Sequence, residues 1–247
     1  MQVKVTVFKD YDEMSRAAAD FVIDLIKANP QGVLGLATGS TPEGTYAEIL
    51  RRKDELPDLS GLRTVNLDEY LGLAADHPQS YHYFMRKKLF DGLGLKPEQS
   101  FFPDGSNADP EAAHAAVIAY EHKLLELGAP FLQILGIGEN GHIGFNEPAS
   151  QFNTRTHVVN LSESTIQANS RFFNSADEVP KQAITMGVLT LMQASRILML
   201  ASGEKKAKAL KGMIEGLVEP ELPASILQMH ENVNVFADEA AASLLSK

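Results

Sequence analysis

Short apolar runs alternate with longer helical stretches along the whole chain, and this alternation constrains the fold more than any other feature. Residues 3–8, 33–37, 63–67, 131–137, 196–201 and 233–237 read as strands. Residues 12–27, 42–52, 81–90, 110–127 and 205–214 read as helices. Strands and helices of these lengths in alternation imply βαβ units. The expected fold is α/β: a Rossmann-like, open, mostly parallel sheet with helices on both faces. The first helix stops at Asn29-Pro30. The second starts with Thr41 as N-cap and Pro42 at the first helical position, where a missing N–H costs nothing. The polar stretch 162–180 lacks a clear period and reads as a lid segment or a surface excursion. No long linker or repeat interrupts the pattern, so residues 1–247 are expected to form one domain.

Composition bounds the function. The net charge of −10 argues against nucleic acid as the main partner. It also means that an anionic ligand needs local positive potential. Cysteine is absent, which excludes disulfides, thiolate metal sites and cysteine nucleophiles. No apolar run is long enough to span a bilayer, and the first ten residues alternate like a strand rather than a signal peptide. A cytoplasmic protein with a small-molecule partner is expected.

Ligands of open α/β sheets bind beyond the carboxyl ends of the strands. The segments after Ala37, Leu67, Ile137 and Ala201 are therefore the candidates, and all four carry polar chemistry. The first is Thr38-Gly39-Ser40-Thr41-Pro42, a hydroxyl-rich loop opening a helix. Free N–H groups and the positive dipole end suit a phosphate. A tight turn with an N-cap explains the same residues. It is not a Walker A loop, because no lysine follows in frame.

The second is Asp68-Glu69-Tyr70. Adjacent acids at a strand end suit general acid/base work. Neighbours in an extended segment point to opposite faces, so one acid faces a ligand. Solvated charges or an N-cap are the bland alternatives. The third, GIGENGHIGFNEP (136–148), places Asn140, His142 and Glu147 among glycines. If the chain is extended there, Asn140 and His142 share a face. Glu147 fits neither period, so a loop must fold back to bring it near. A functional His142 would have its active tautomer set by what its other ring nitrogen contacts, and a hydrogen-bonded structural histidine is the alternative. His142, Glu147 and Asp68 lack a metal-site spacing, so no metal is expected. The fourth, Ser202-Gly203-Glu204-Lys205-Lys206, places lysines where a helix dipole disfavours them, which points to an anion nearby or to side chains reaching solvent. Arg171, in the polar stretch, is a further cation that closure of a lid would bring in.

Taken together, these residues resemble the glucosamine-6-phosphate deaminases. The matching stretches are LATGSTPEGTY (36–46), VNLDEYLGL (65–73), HPQSYHYFM (77–85), GIGENGHIGFNEP (136–148), TRTHVVNL (154–161), ANSRFF (168–173) and SGEKKAKAL (202–210). The resemblance spans almost the whole chain. It implies conversion of glucosamine 6-phosphate and water to fructose 6-phosphate and ammonia, without a cofactor. It implies that His142 opens the sugar ring, with Asn140 and Glu147 orienting or assisting it. It assigns Asp68 as the base for proton transfer from C2 to C1. Gly39, Ser40 and Thr41, with Arg171 and Lys206 as cations, would take the phosphate.

Two departures from the family pattern stand out. Some members carry Asp where this chain has Asn140, and an amide orients His142 by hydrogen bonding alone. The allosteric long forms carry an Arg-x-Lys pair after the catalytic loop and a longer tail, whereas this chain has Thr156-His157-Val158-Val159 and stops at Lys247. No activation by N-acetylglucosamine 6-phosphate is therefore expected. Hexamers accompany the long forms, so a monomer or a small homo-oligomer is expected. A 6-phosphogluconolactonase or galactosamine 6-phosphate enzyme on the same fold, and a sugar-phosphate sensor, are the rival readings.

Overall fold

The computed structural model describes residues 3–161, 166, 173 and 178–246. Its main sheet has seven strands in the order β1-β10-β9-β6-β2-β3-β5, every pairing parallel. These strands are β1 (Val3–Phe8), β2 (Val33–Leu36), β3 (Arg63–Asn66), β5 (Ser100–Phe101), β6 (Leu132–Gly136), β9 (Ile197–Ala201) and β10 (Val233–Asp238). A second sheet joins β4 (Asp68–Tyr70), β8 (Gln182–Thr185) and β7 (His157–Asn160) in the order β4-β8-β7, antiparallel throughout.

The central strands are apolar on both faces, as a covered parallel sheet requires. Alternation then sorts their side chains. Leu198 and Leu200 of β9 join Leu34, Leu36, Leu132 and Ile134 in one core. Ile197, Met199 and Ala201 join Leu135, Val235 and Ala237 in another on the opposite face. The first core is closed by α1 (Tyr11–Ala28) and α2 (Ser40–Arg51). Helix α1 buries Met14, Ala18, Val22 and Ile26, a stripe at four-residue spacing. Asp10 caps it by accepting from Glu13 N at 2.8 Å. Fully burying one such aliphatic side chain contributes about 1.5–3 kcal/mol.

Among the described residues, the further α-helices are α3 (Tyr81–Met85), α4 (Asp91–Leu93), α5 (Pro110–Leu127), α6 (Val188–Leu191) and α7 (Ala207–Glu215). The structure corrects several sequence expectations. Helix α2 begins at Ser40 with Gly39, at φ 111°, in the cap position. Thr41 therefore lies inside the helix rather than capping it. The helix expected over 81–90 is α3 followed by a π turn at Arg86–Phe90. That expected over 205–214 starts as a 3₁₀ turn at Glu204–Lys206 and becomes α-helical at Ala207. The antiparallel sheet was not expected. The stretch read as a lid lies largely outside the described residues.

Chain order reverses between β2 and β6. From β2 the sheet grows through β3 to β5, and then β6 returns to the other side of β2. A crevice at the carboxyl ends follows from this switch. Loops leaving β2, β6 and β9 are neighbours there. No helix among the described residues is long and apolar enough to cross a membrane.

Candidate active site

The loop after β6 is folded around His142. Gly138 N donates to His142 O at 2.9 Å, and Gly141 N donates to Gly138 O at 3.1 Å. Gly141 takes φ 88°, which only glycine adopts cheaply. A Cβ on Gly138 would lie 2.3 Å from the His142 ring, so the imidazole rests on bare backbone there. The chain then turns at Gly144 (φ 57°), and Ile143 bridges Asn146. Asn146 Nδ2 fastens this turn by donating to Ile143 O at 2.9 Å and Met186 O at 2.8 Å.

The fold-back delivers Glu147 to the histidine. Asn140 Nδ2 donates to Glu147 Oε2 at 2.7 Å. Asn140 Oδ1 lies 2.8 Å from His142 Nδ1 and accepts from His142 N at 3.2 Å. Glu147 Oε2 is 3.6 Å from Nδ1. The amide orientation follows from chemistry. An ionised carboxylate only accepts, so the Asn140 amino group faces Glu147, and the backbone N–H of His142 demands the carbonyl oxygen on the other side. That oxygen then requires the proton on Nδ1, leaving Nε2 with its lone pair. Asn140 and His142 therefore meet as expected, but through a turn at Gly141 and not along a strand.

Asp68 and Glu69 point to opposite faces of β4, and both are buried, which excludes a pair of solvated charges. Glu69 accepts from Tyr70 N, Tyr81 N and His82 N, each at 2.9 Å, and so holds the start of α3. Burial nevertheless raises its pKa to about 7, against the opposing pull of those N–H groups. A cavity of about 390 Å³ lies on the Glu69 side, lined by Phe101, Phe102 and Tyr120. Asp68 lies on the other side, toward the His142 loop. A Cβ on Gly144 would be 3.3 Å from Asp68 Oδ2 and 2.9 Å from Thr185 Oγ1. Burial, and secondarily the charge of Glu69, pushes the Asp68 carboxyl well above the usual range. No hydrogen bond to its oxygens is present among the described residues. Sequence reasoning missed Thr185, whose hydroxyl accepts from Phe145 N at 3.1 Å and lies opposite Asp68 in the β4–β8 register.

Gly39 and Ser40 are exposed at the start of α2, and a Cβ on Gly39 would meet nothing within 4 Å. Lys206 is half-buried at the end of the turn after β9. Burial lowers its pKa, and Glu139 of the His142 loop partly restores it. Lys205 Nζ lies 3.8 Å from Glu139 Oε1. The β9 loop is thus packed beside the His142 loop. Arg171 lies outside the described residues. Among those residues no group of three or more His, Asp and Glu could hold a metal ion.

Comparison with known proteins identifies the family and the fold. The model of the family "Glucosamine-6-phosphate isomerases/6-phosphogluconolactonase" matches residues 9–236. A glucosamine-6-phosphate deaminase of Clostridium acetobutylicum is 48% identical over 245 residues, covering 98% of this chain and 100% of the relative. Glucosamine-6-phosphate deaminase 1 of Bacillus subtilis is 47% identical over 243 residues, covering 98% and 99%. A solved monomeric glucosamine-6-phosphate deaminase superposes with TM-score 0.92 at 47% identity, covering 98% of this chain and 100% of that one. The 6-phosphogluconolactonase of Trypanosoma brucei shares the fold at TM-score 0.79 and 22% identity, over 99% of each chain. The chain belongs to the family of glucosamine-6-phosphate isomerases and 6-phosphogluconolactonases.

Proposed function

We propose that this chain is a glucosamine-6-phosphate deaminase that converts glucosamine 6-phosphate and water to fructose 6-phosphate and ammonia, in amino-sugar catabolism. The reading rests above all on one arrangement. His142, with Nδ1 held by Asn140, and Asp68, buried without a hydrogen bond among the described residues, both adjoin the loop 138–147. Deaminases from several bacteria that align over nearly the full length support it.

The chemistry can be followed atom by atom. His142 Nε2 has the free lone pair, so it takes the proton of the anomeric hydroxyl and returns one to the ring oxygen as the ring opens. Nδ1–H stays on Asn140, and the Glu147 carboxylate stabilises the imidazolium through that amide. Asp68 then takes the C2 proton and delivers it to C1, by way of an enolamine. C2 is oxidised and C1 reduced within one molecule, so no redox cofactor enters. The resulting C2 iminium adds water and expels ammonia. A basic carboxylate suits proton abstraction from carbon, and burial of Asp68 supplies that basicity.

The phosphate sits on Gly39, Ser40 and Thr41, at the positive end of α2, with Lys206 and Arg171 as cations. These groups overcome the unfavourable global charge locally. A lactonase needs hydrolysis alone and has no use for a base at C2, so Asp68 favours the deaminase. A cytoplasmic monomer fits this reading, in line with the monomeric deaminase of the same fold. The test is ammonia release from glucosamine 6-phosphate without added metal or cofactor. Ammonia with an equal amount of fructose 6-phosphate is the expected result. A folded sample that releases no ammonia overturns the reading, and galactosamine 6-phosphate and 6-phosphogluconolactone would then be tried.

A further inference from the structure

Tyr11 opens α1, far in sequence from every motif above, yet its hydroxyl reaches the first turn of α2. It donates to Ser40 O at 3.0 Å and accepts from Gly44 N at 2.8 Å. Ser40 O and Gly44 N are the first i, i+4 pair of α2, which runs without a break from Ser40 to Arg51. Here one hydroxyl engages both. The approach is built in. A Cβ on Gly44 would lie 2.9 Å from the Tyr11 hydroxyl and 2.5 Å from Ser15 Oγ, so only glycine admits the two side chains.

We infer that Tyr11 is a positioning residue for the phosphate cradle. The peptide unit is planar and trans, so the Ser40 carbonyl and the Thr41 N–H point in opposite directions. Holding the carbonyl therefore aims the Thr41 N–H. A hydrogen bond to the carbonyl also polarises the same peptide and strengthens that N–H as a donor. Pro42 has no N–H, so few main-chain donors remain in this turn, and each counts more. Tyr11 itself touches no substrate. It acts through the peptide that does, and the inference rests on the reading of this loop as the phosphate site.

Tyr11→Phe keeps the ring and its packing and removes the hydroxyl alone. Steady-state kinetics with glucosamine 6-phosphate, with inorganic phosphate as competitor, give the readout. Loss of one aimed donor is expected to raise both KM and the inhibition constant for phosphate about five-fold, with kcat changed less than about two-fold. A purely structural hydroxyl would lower the melting temperature and leave that split absent. Unchanged KM and unchanged phosphate inhibition would overturn the inference, as would a fall in kcat alone. Ser40→Ala serves as the reference. If it weakens phosphate inhibition while Tyr11→Phe does not, Tyr11 alone is misassigned. If neither does, the loop is not the phosphate site and both readings fall.

Discussion

Two carboxylates, Asp68 on β4 and Glu121 on α5, are both withdrawn from bulk water, and they are treated in opposite ways. Glu121 Oε1 accepts from Thr156 N at 2.8 Å, Thr156 Oγ1 at 2.5 Å and Thr190 Oγ1 at 2.9 Å, with Arg155 3.4 Å from the other oxygen. Burial pushes this carboxyl up, but the combined hydrogen bonds and the Arg155 charge outweigh it and hold it below its usual pKa. Among the described residues Asp68 has no such donor, and burial raises its pKa. Glu69 is intermediate. Three N–H groups serve it, but it is buried more completely and burial wins. The carboxylate supplied with donors is stabilised as an anion, and the one without them is made more basic, at a cost in stability. That difference is what the proposed role of Asp68 as a base requires.

The largest effect tests the deprived carboxylate. Asp68→Asn should lower turnover at least about 10³-fold, because the base is gone while the shape remains. Inorganic phosphate should still bind, measured by calorimetry. Next comes the histidine's support. Gly138→Ala puts a methyl where the His142 ring lies, and displacement by about 1 Å should cost roughly 10² in kcat, measured by coupled ammonia assay. The pH profile follows. The acid limb of kcat/KM should lie well above the usual carboxylate range, because Asp68 must be ionised to act and burial has raised its pKa. An acid limb near pH 4 would remove Asp68 from this role.

The smallest effect falls on the supplied carboxylate. Glu121→Gln should leave turnover within about two-fold and destabilise the fold by about 1–2 kcal/mol, read by thermal melting. The sign is set by its lowered pKa. The stability that Glu121 contributes is present above its unfolded pKa and is lost as pH falls through the folded value. The variant's deficit should therefore shrink in acid.

How much of this was legible in the sequence depends on the range of the interactions. Six of the seven strands of the parallel sheet and the four loops beyond them follow from local hydrophobic runs, whereas β5, two residues long, was not legible. The candidate residues other than Arg171 follow from the residue types in those loops, and their roles from the family resemblance. The antiparallel sheet was not legible. Its strand β4 is three residues long, and its pairing of Asp68 with Thr185 joins distant segments with no local periodic signal. The cap of α2 was misplaced because Thr41-Pro42 is a good local start, while Gly39 at φ 111° supplies the turn actually used. Asn140 and His142 were paired by a strand period, whereas a glycine turn does the work. Tyr11 and Glu121 gave no signal at all. They act on backbone groups and on small hydroxyls brought close only by the fold. Arg171 stays a proposal, because it lies outside the described residues.

The central claim is that the fold holds Asp68 in a setting that disfavours its charge. The direct measurement is the melting temperature of Asp68→Asn against the parent from pH 4 to pH 8. The folded pKa of Asp68 is raised, so between the unfolded and folded values the folded state binds more protons, and the parent loses stability as pH rises. Asparagine does not titrate. The account predicts near-equal melting at pH 4 and a growing advantage for the variant toward neutrality. A variant that melts below the parent across the range, or a difference that does not change with pH, would contradict it.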